Sequence, residues 1–182
     1  MLPFILIFVT LLILFFLLSM VWPPDSPWSP WWRTTPERAR IECNLAKVKK
    51  GDIIYDLGSG EGTALIIAAK EYGATGVGIE IDPFRAWVSK VTVRISGVSD
   101  KIEIRRDNFW NQDISKASVI FMYLIPKTLV KLRPRFLKEL KPGTRIVTFV
   151  YQMDLPLFAK DEKAELYCYE IPKKNHELII KN

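Results

Sequence analysis

The chain divides by pattern before any single residue is considered. From Leu2 to Trp22 there is no charged residue; the first charge is Asp25. Those 21 residues, broken only by mild ones such as Pro3, Thr10 and Ser19, would span roughly 30 Å as a helix, the hydrocarbon thickness of a bilayer. The pattern predicts a transmembrane anchor over 1–22. A cleaved signal peptide would place Lys or Arg ahead of the apolar run and a small-residue cleavage site after it, and neither is in the sequence. Residues 23–33 read as a linker, because Pro23, Pro24, Pro27 and Pro30 forbid a helix and stiffen the chain. Trp22, Trp28, Trp31 and Trp32 suit the headgroup layer; an aromatic substrate platform is the other reading.

From residue 34 the pattern alternates. Thr34-Thr35-Pro36-Glu37 is a helix start, and Ile41, Leu45 and Val48 follow at helical spacing up to Lys50-Gly51. Ile53–Leu57 reads as a buried strand and 63–72 as a helix closed by Gly73. Gly76–Ile81 is a second strand. Asp82-Pro83 caps a helix whose apolar set is Phe84, Trp87, Val88, Val91 and Ile95. Strands are predicted at 102–105, 118–124 and 144–150. Pro134 predicts a break into two short helices, 127–132 and 135–140. Two last strands, 165–171 and 176–181, are predicted as a hairpin about Pro172–Asn175. Such alternation implies an α/β, doubly wound, mostly parallel seven-stranded Rossmann-like sheet with a C-terminal antiparallel hairpin. The domain is assigned to residues 34–182.

Charge sharpens this division. All 26 basic and 20 acidic residues lie beyond the apolar segment, giving a net charge of +6. Arg33, Arg38, Arg40, Lys47, Lys49 and Lys50 follow the segment and no basic residue precedes it. The positive-inside rule then puts the N-terminus outside and the domain in the cytoplasm. Cys43 and Cys168 form no metal or CxxC spacing and read as reduced thiols. With His176 the only histidine, His-dependent nucleophilic catalysis has no support, and His176 itself reads as structural.

The chemistry is concentrated at the ends of the predicted strands. Asp56-Leu57-Gly58-Ser59-Gly60-Glu61-Gly62 joins the first strand to a helix, where a doubly wound sheet binds ligands. Its G-x-G-x-G spacing differs from the dinucleotide G-x-G-x-x-G. A wider, acid-led turn suits the amino-acid half of S-adenosylmethionine, with Asp56 accepting from its ammonium. Glu80 ends the second strand, placed to accept from both ribose hydroxyls; a NAD enzyme would use the same position. Asp107 and Asn108, past the third strand, can meet an adenine amino group, and Asp107 reads equally as a helix cap. Ile81 and Phe109 are apolar candidates to flank the ring, whereas Trp110 reads as packing. After the fourth strand stands Tyr123-Leu124-Ile125-Pro126 rather than Asn/Asp-Pro-Pro-Tyr, which argues against nucleic-acid base methylation. Tyr123 is the candidate catalytic residue, and Glu61 and Asp154 are candidate bases. No metal site is expected.

These residues resemble the class I, seven-strand S-adenosylmethionine-dependent methyltransferases, over roughly Thr35 to Asn182. DLGSGEG (56–62), GVGIEIDP (76–83), D-N-F-W (107–110) and VIFMYLIP (119–126) followed by LRPRFLKELKPG (132–143) are similar to one subgroup. It comprises protein-lysine methyltransferases of the ATP synthase c-ring protein and the adenine nucleotide translocase, which carry a hydrophobic N-terminal segment, and prokaryotic relatives. The chain departs in having Glu61-Gly62-Thr63 for the usual D-G-R step and Trp31–Pro36 where a Val-Pro-Thr step is more usual. The resemblance implies S-adenosylmethionine as cofactor and a lysine of a membrane or membrane-proximal protein as acceptor. The apolar run gives residues 2–22 a bilayer partner, and Tyr123-Leu124-Ile125-Pro126 leaves no nucleic acid expected. A lipid-soluble small-molecule acceptor and a non-catalytic S-adenosylmethionine-binding membrane module are the competing readings.

Overall fold

The computed structural model describes residues 2–21 and 32–173. Helix α1 is Leu2–Val21, with its side chains described over 3–15 and exposed throughout. Those 3–15 fall short of a bilayer, and among the described residues no helix is long and apolar enough to cross a membrane. The predicted transmembrane anchor is thus not seen as a span, and the linker tryptophans up to Trp31 lie outside the described residues.

The domain opens with α2, Pro36–Leu45, whose cap is Thr35 rather than Thr34: the Thr35 hydroxyl accepts from the Arg38 amide at 3.3 Å. It then alternates β1 (Ile53–Leu57), α3 (Thr63–Glu71), β2 (Thr75–Glu80), α4 (Pro83–Ile95), β3 (Ile102–Arg106), a 3-10 turn (Phe109–Asn111), β4 (Val119–Met122), α5 (Pro126–Glu139) and β5 (Arg145–Phe149). Strands β6 (Leu157–Asp161) and β7 (Leu166–Glu170) close the sheet in the order β3-β2-β1-β4-β5-β7-β6. The first five strands are parallel, and β7 runs antiparallel between β5 and β6.

Strand parity divides the core. Ile54, Val119 and Val147 face one layer with Ala39 and Cys43 of α2 and Leu65 of α3. Tyr55, Leu57, Ile120 and Ile146 face the other, against Leu129, Leu132 and Phe136 of α5. Asp56 shares the parity of Ile54, so it points toward the layer that holds α2. The order in which strands are added to the sheet reverses between β1 and β4, which opens a crevice at their carboxyl ends.

Three expectations are corrected. The closing hairpin is β6–β7, joined through 162–165; the predicted 165–171 is β7, but its partner precedes it. The predicted strand 176–181, with His176, lies outside the described residues. Helix α5 is continuous through Pro134. Proline removes the bond to the carbonyl four residues back, at Val130, and Val130 is exposed, so water can take that carbonyl. On α4 the predicted apolar set does not face the core. Ala86, Ser89 and Val93 are buried, whereas Phe84, Trp87, Val91 and Ile95 are exposed. The cause is space: a Cβ at Gly62 would lie 2.6 Å from Ser89 Oγ, so the turn after β1 admits only small side chains from α4.

Candidate functional site

The crevice at the carboxyl ends of β1, β2 and β4 is lined by Asp56, Gly58, Ser59, Gly60, Glu80, Ile81, Asp107, Asn108 and Tyr123. These are all the predicted site residues but one. Gly62 lies behind the turn, capping α3 with φ +79°, a backbone conformation that side chains disfavour. The amides of Gly58 and Ser59 donate to the Ile79 carbonyl at 2.9 and 3.1 Å, which ties the turn to β2 and leaves its outer edge bare.

Glu80 is the most constrained member. Its Oε2 accepts from the Gly60 amide at 2.8 Å and its Oε1 from the Asp82 amide at 2.9 Å. Burial pushes this carboxyl up, and the two amides and Arg85 oppose that. Each oxygen keeps a lone pair, so the carboxylate is already aimed for a pair of ribose hydroxyls. Arg85, buried at the start of α4, also lines the crevice. Desolvation lowers its pKa while Glu80, Asp82 and Glu61 raise it.

At the adenine end Asp107 is not a helix cap. Its Oδ2 accepts from Gln112 Nε2 and its Oδ1 from the Asn108 amide, both at 2.6 Å. The cap is Asn108, whose Oδ1 accepts from the Trp110 amide at 3.1 Å. Phe109 and Ile81 line the crevice as apolar walls, and Trp110 packs beside Phe109 in the core.

The opposite end differs. Asp56 is 8% exposed, and burial first, then Glu80, pushes its carboxyl up to about 7. Glu42 of α2 stands in the same wall and was not foreseen. Burial first, then Asp56, pushes it up to about 8. A sequence signal existed: Glu42 shares a helix face with Ala39 and Cys43, both buried. Glu61 is not a free base, since its Oε2 pairs with Arg33 Nε at 2.8 Å. Asp154 pairs with Arg133 at 3.2 Å, its side chain 92% exposed, and does not line the crevice. Cys43 and Cys168 are buried free thiols, each pushed up to about 12 by burial first.

Tyr123, after β4, joins an aromatic wall. Its ring centroid is 5.0 Å from that of Phe149 and 6.2 Å from that of Tyr151, with Tyr151 parallel within 2°. Burial first raises the Tyr123 phenol above its usual value, so it stays neutral near pH 7. Arg38 sets its guanidinium 4.0 Å from the Phe149 centroid. Phe149 and Trp32 also line the crevice.

The residues fit S-adenosylmethionine at each part of the ligand. Glu80 suits the ribose, Asp107 and the Asn108 step the adenine, and the buried carboxyls of Asp56 and Glu42, without hydrogen-bond partners among the described residues, the ammonium. Among the described residues no group of side chains could hold a metal ion.

The chain is similar to known methyltransferases along most of its length. It is 38% identical over 136 residues to a protein-lysine N-methyltransferase of Saccharolobus islandicus (strain REY15A), covering 74% of this chain and 82% of that one. To the human lysine N-methyltransferase named for the C-type subunit of ATP synthase it is 25% identical over 118 residues, 65% of this chain but only 50% of the human one. A solved structure from Salinibacter ruber, described as an RNA methyltransferase in complex with S-adenosyl-L-homocysteine, matches with a TM-score of 0.75 and 35% identity. It covers 82% of this chain and 100% of that one. The profile of the ANTKMT methyltransferase domain matches residues 56–156. With the crevice built for this ligand and the match running from Asp56 onward through most of the sheet, the chain belongs to the ANTKMT methyltransferase domain family of S-adenosylmethionine-dependent methyltransferases.

Proposed function

We propose that the domain transfers a methyl group to the ε-amine of a lysine on a membrane or membrane-proximal protein. The single observation that carries the lysine reading is the aromatic wall of Tyr123, Phe149 and Tyr151 beside the donor crevice. That wall already takes a long cationic side chain, Arg38, at 4.0 Å, the contact an incoming ammonium makes with a ring face. The names of the Saccharolobus and human relatives support the same acceptor. S-adenosylmethionine supplies an electrophilic methyl on a sulfonium, so alignment and exclusion of water are the enzyme's chief tasks. A lysine amine, ordinarily near pKa ~10.4, must lose its proton first. Desolvation against the aromatic wall and the neighbouring sulfonium both favour the neutral amine. Tyr123, as a neutral phenol, is placed to hydrogen-bond that amine and orient it. Tyr123→Phe should lower kcat several-fold and leave S-adenosylhomocysteine affinity unchanged.

The membrane part of the proposal rests on sequence. The uninterrupted apolar run, the basic residues that follow it and the cytoplasmic supply of the donor argue for a single-pass anchor, N-terminus outside and domain in the cytoplasm. The name of the Salinibacter structure favours RNA as acceptor; Tyr123-Leu124-Ile125-Pro126 after β4 disfavours it. One experiment separates the readings. The full chain is incubated with methyl-labelled S-adenosylmethionine and cell membranes with their bound ribosomes. Protease-sensitive label that hydrolyses to methyl-lysine supports the proposal. Label that is sensitive only to nuclease, or that extracts into organic solvent, overturns it.

A further inference from the structure

We propose that Glu42 of α2 is a second carboxylate for the donor's α-ammonium, closing on it together with Asp56, and that donor binding therefore expels a proton from the site. The inference rests on the donor, not on the identity of the acceptor.

The geometry begins with parity. Asp56 points to the layer of the sheet that α2 covers, and the buried face of α2 is Ala39, Glu42 and Cys43. Two carboxyls, 7% and 8% exposed, therefore meet in one wall of the crevice. Among the described residues no hydrogen bond acts on either one. The neighbouring cation does not answer the need: Arg38, one turn back on α2, lies over Phe149 instead. Desolvation raises both carboxyls, and each opens onto the same crevice. An α-ammonium carries three N–H donors, which two carboxylates can take where one leaves a donor unmatched.

The electrostatics give the consequence. The charged groups that bear on Glu42 are Asp56 from β1 and Arg38 from α2. Cys43 beside it is a neutral thiol, and Glu80 acts on Asp56 from β2. Two such carboxyls ionise in sequence, Asp56 first and Glu42 at higher pH against the charge already present. In the ligand-free protein at pH 7 Glu42 is mostly protonated. An ammonium beside it favours the anion, so the proton passes to solvent as the donor binds, and affinity rises with pH between about 6 and 8.

The test uses the full chain and two probes. S-adenosylhomocysteine carries the ammonium; methylthioadenosine keeps the nucleoside and lacks the amino acid. Calorimetry at pH 7 in two buffers of different ionisation enthalpy counts released protons. The proposal expects release with S-adenosylhomocysteine and none with methylthioadenosine in the unaltered protein, a comparison that needs no variant. Glu42→Gln, an isostere of the protonated form, should bind S-adenosylhomocysteine at least about tenfold more weakly, with release cut by half or more. Its methylthioadenosine affinity should stay within twofold. No proton release in the unaltered protein overturns the proposal, as does a Glu42→Gln protein that releases as many protons as before or loses both probes equally.

Discussion

Two buried aspartates four residues apart mark the two ends of strand β1, roughly 13 Å along an extended chain, and they are treated in opposite ways. Asp52, at the amino end, is fully engaged: Arg145 Nη2 lies 2.6 Å and Ser118 Oγ 2.7 Å from its Oδ1, and the Lys49 amide donates to its Oδ2 at 2.9 Å. Asp56, near the carboxyl end, has no such partner among the described residues and is pushed up to about 7, by burial first. The same residue type on one strand is thus tied into the fold at one edge of the sheet and opens onto the crevice at the other. The contrast extends sideways. Glu80 is held by two backbone amides, so its end of the crevice is built in advance. At Asp56 and Glu42 no such hydrogen bonds are present among the described residues, and the proposed ammonium site would be completed by its ligand.

The largest effect should come from Asp52. Asp52→Ala leaves the half-buried Arg145 with only the Ala46 and Lys47 carbonyls, and breaking a buried pair on one side costs about 3–5 kcal/mol. Thermal unfolding should show it as a Tm drop of about 10 °C, and a variant that still folds should bind S-adenosylhomocysteine as before. If binding falls instead, the two ends are not separable.

Next in size is the pH dependence of the ligand-free protein. Asp56 and Glu42 have folded pKa values, about 7 and about 8, above their ordinary carboxylate values. Raised acids stabilise the fold fully below the unfolded values, near about pH 4, and that contribution is lost as pH rises to the folded ones. Stability should therefore decline between about pH 4 and 8 by the order of a few kcal/mol, and Glu42→Gln should flatten the upper part of that decline. Denaturant titrations at half-unit pH steps would show it; a curve rising over this range would contradict the assignment.

Asp56→Asn should weaken S-adenosylhomocysteine about tenfold to a hundredfold, the loss of one charge-assisted contact, with Tm at pH 8 unchanged or raised. The smallest effect tests the turn that follows Asp56. Gly62→Ala adds a Cβ 2.6 Å from Ser89 Oγ at φ +79° and should cost about 1–2 kcal/mol, read by thermal unfolding.

Much of this site is legible in the sequence because its parts are local. DLGSGEG, Glu80 and the Asp107-Asn108 step each sit at a strand end that hydrophobic pattern alone locates, and of the donor-site residues expected there only Gly62 stands back from the crevice. What was not legible depends on contacts between elements. Glu42 looks like one more surface charge until the parity of β1 and the face of α2 are known together. On α4 the most hydrophobic stripe does not face the core, because the helix sets Ser89 and Val93 against the glycine turn and leaves Trp87 exposed. Pro134 passes through α5 because the carbonyl it strands faces water. The closing hairpin was misplaced because β6, with its largely exposed residues, carries little of the alternation that marks a strand.

The contrast between the two aspartates can be read directly by following side-chain carboxyl resonances through a pH titration, with and without S-adenosylhomocysteine. Asp56 should titrate at about 7 in the free protein and roughly one unit or more lower with the ligand bound, while the Asp52 resonance at a single fixed pH should not move when the ligand is added. An Asp56 that is indifferent to the ligand would contradict the account.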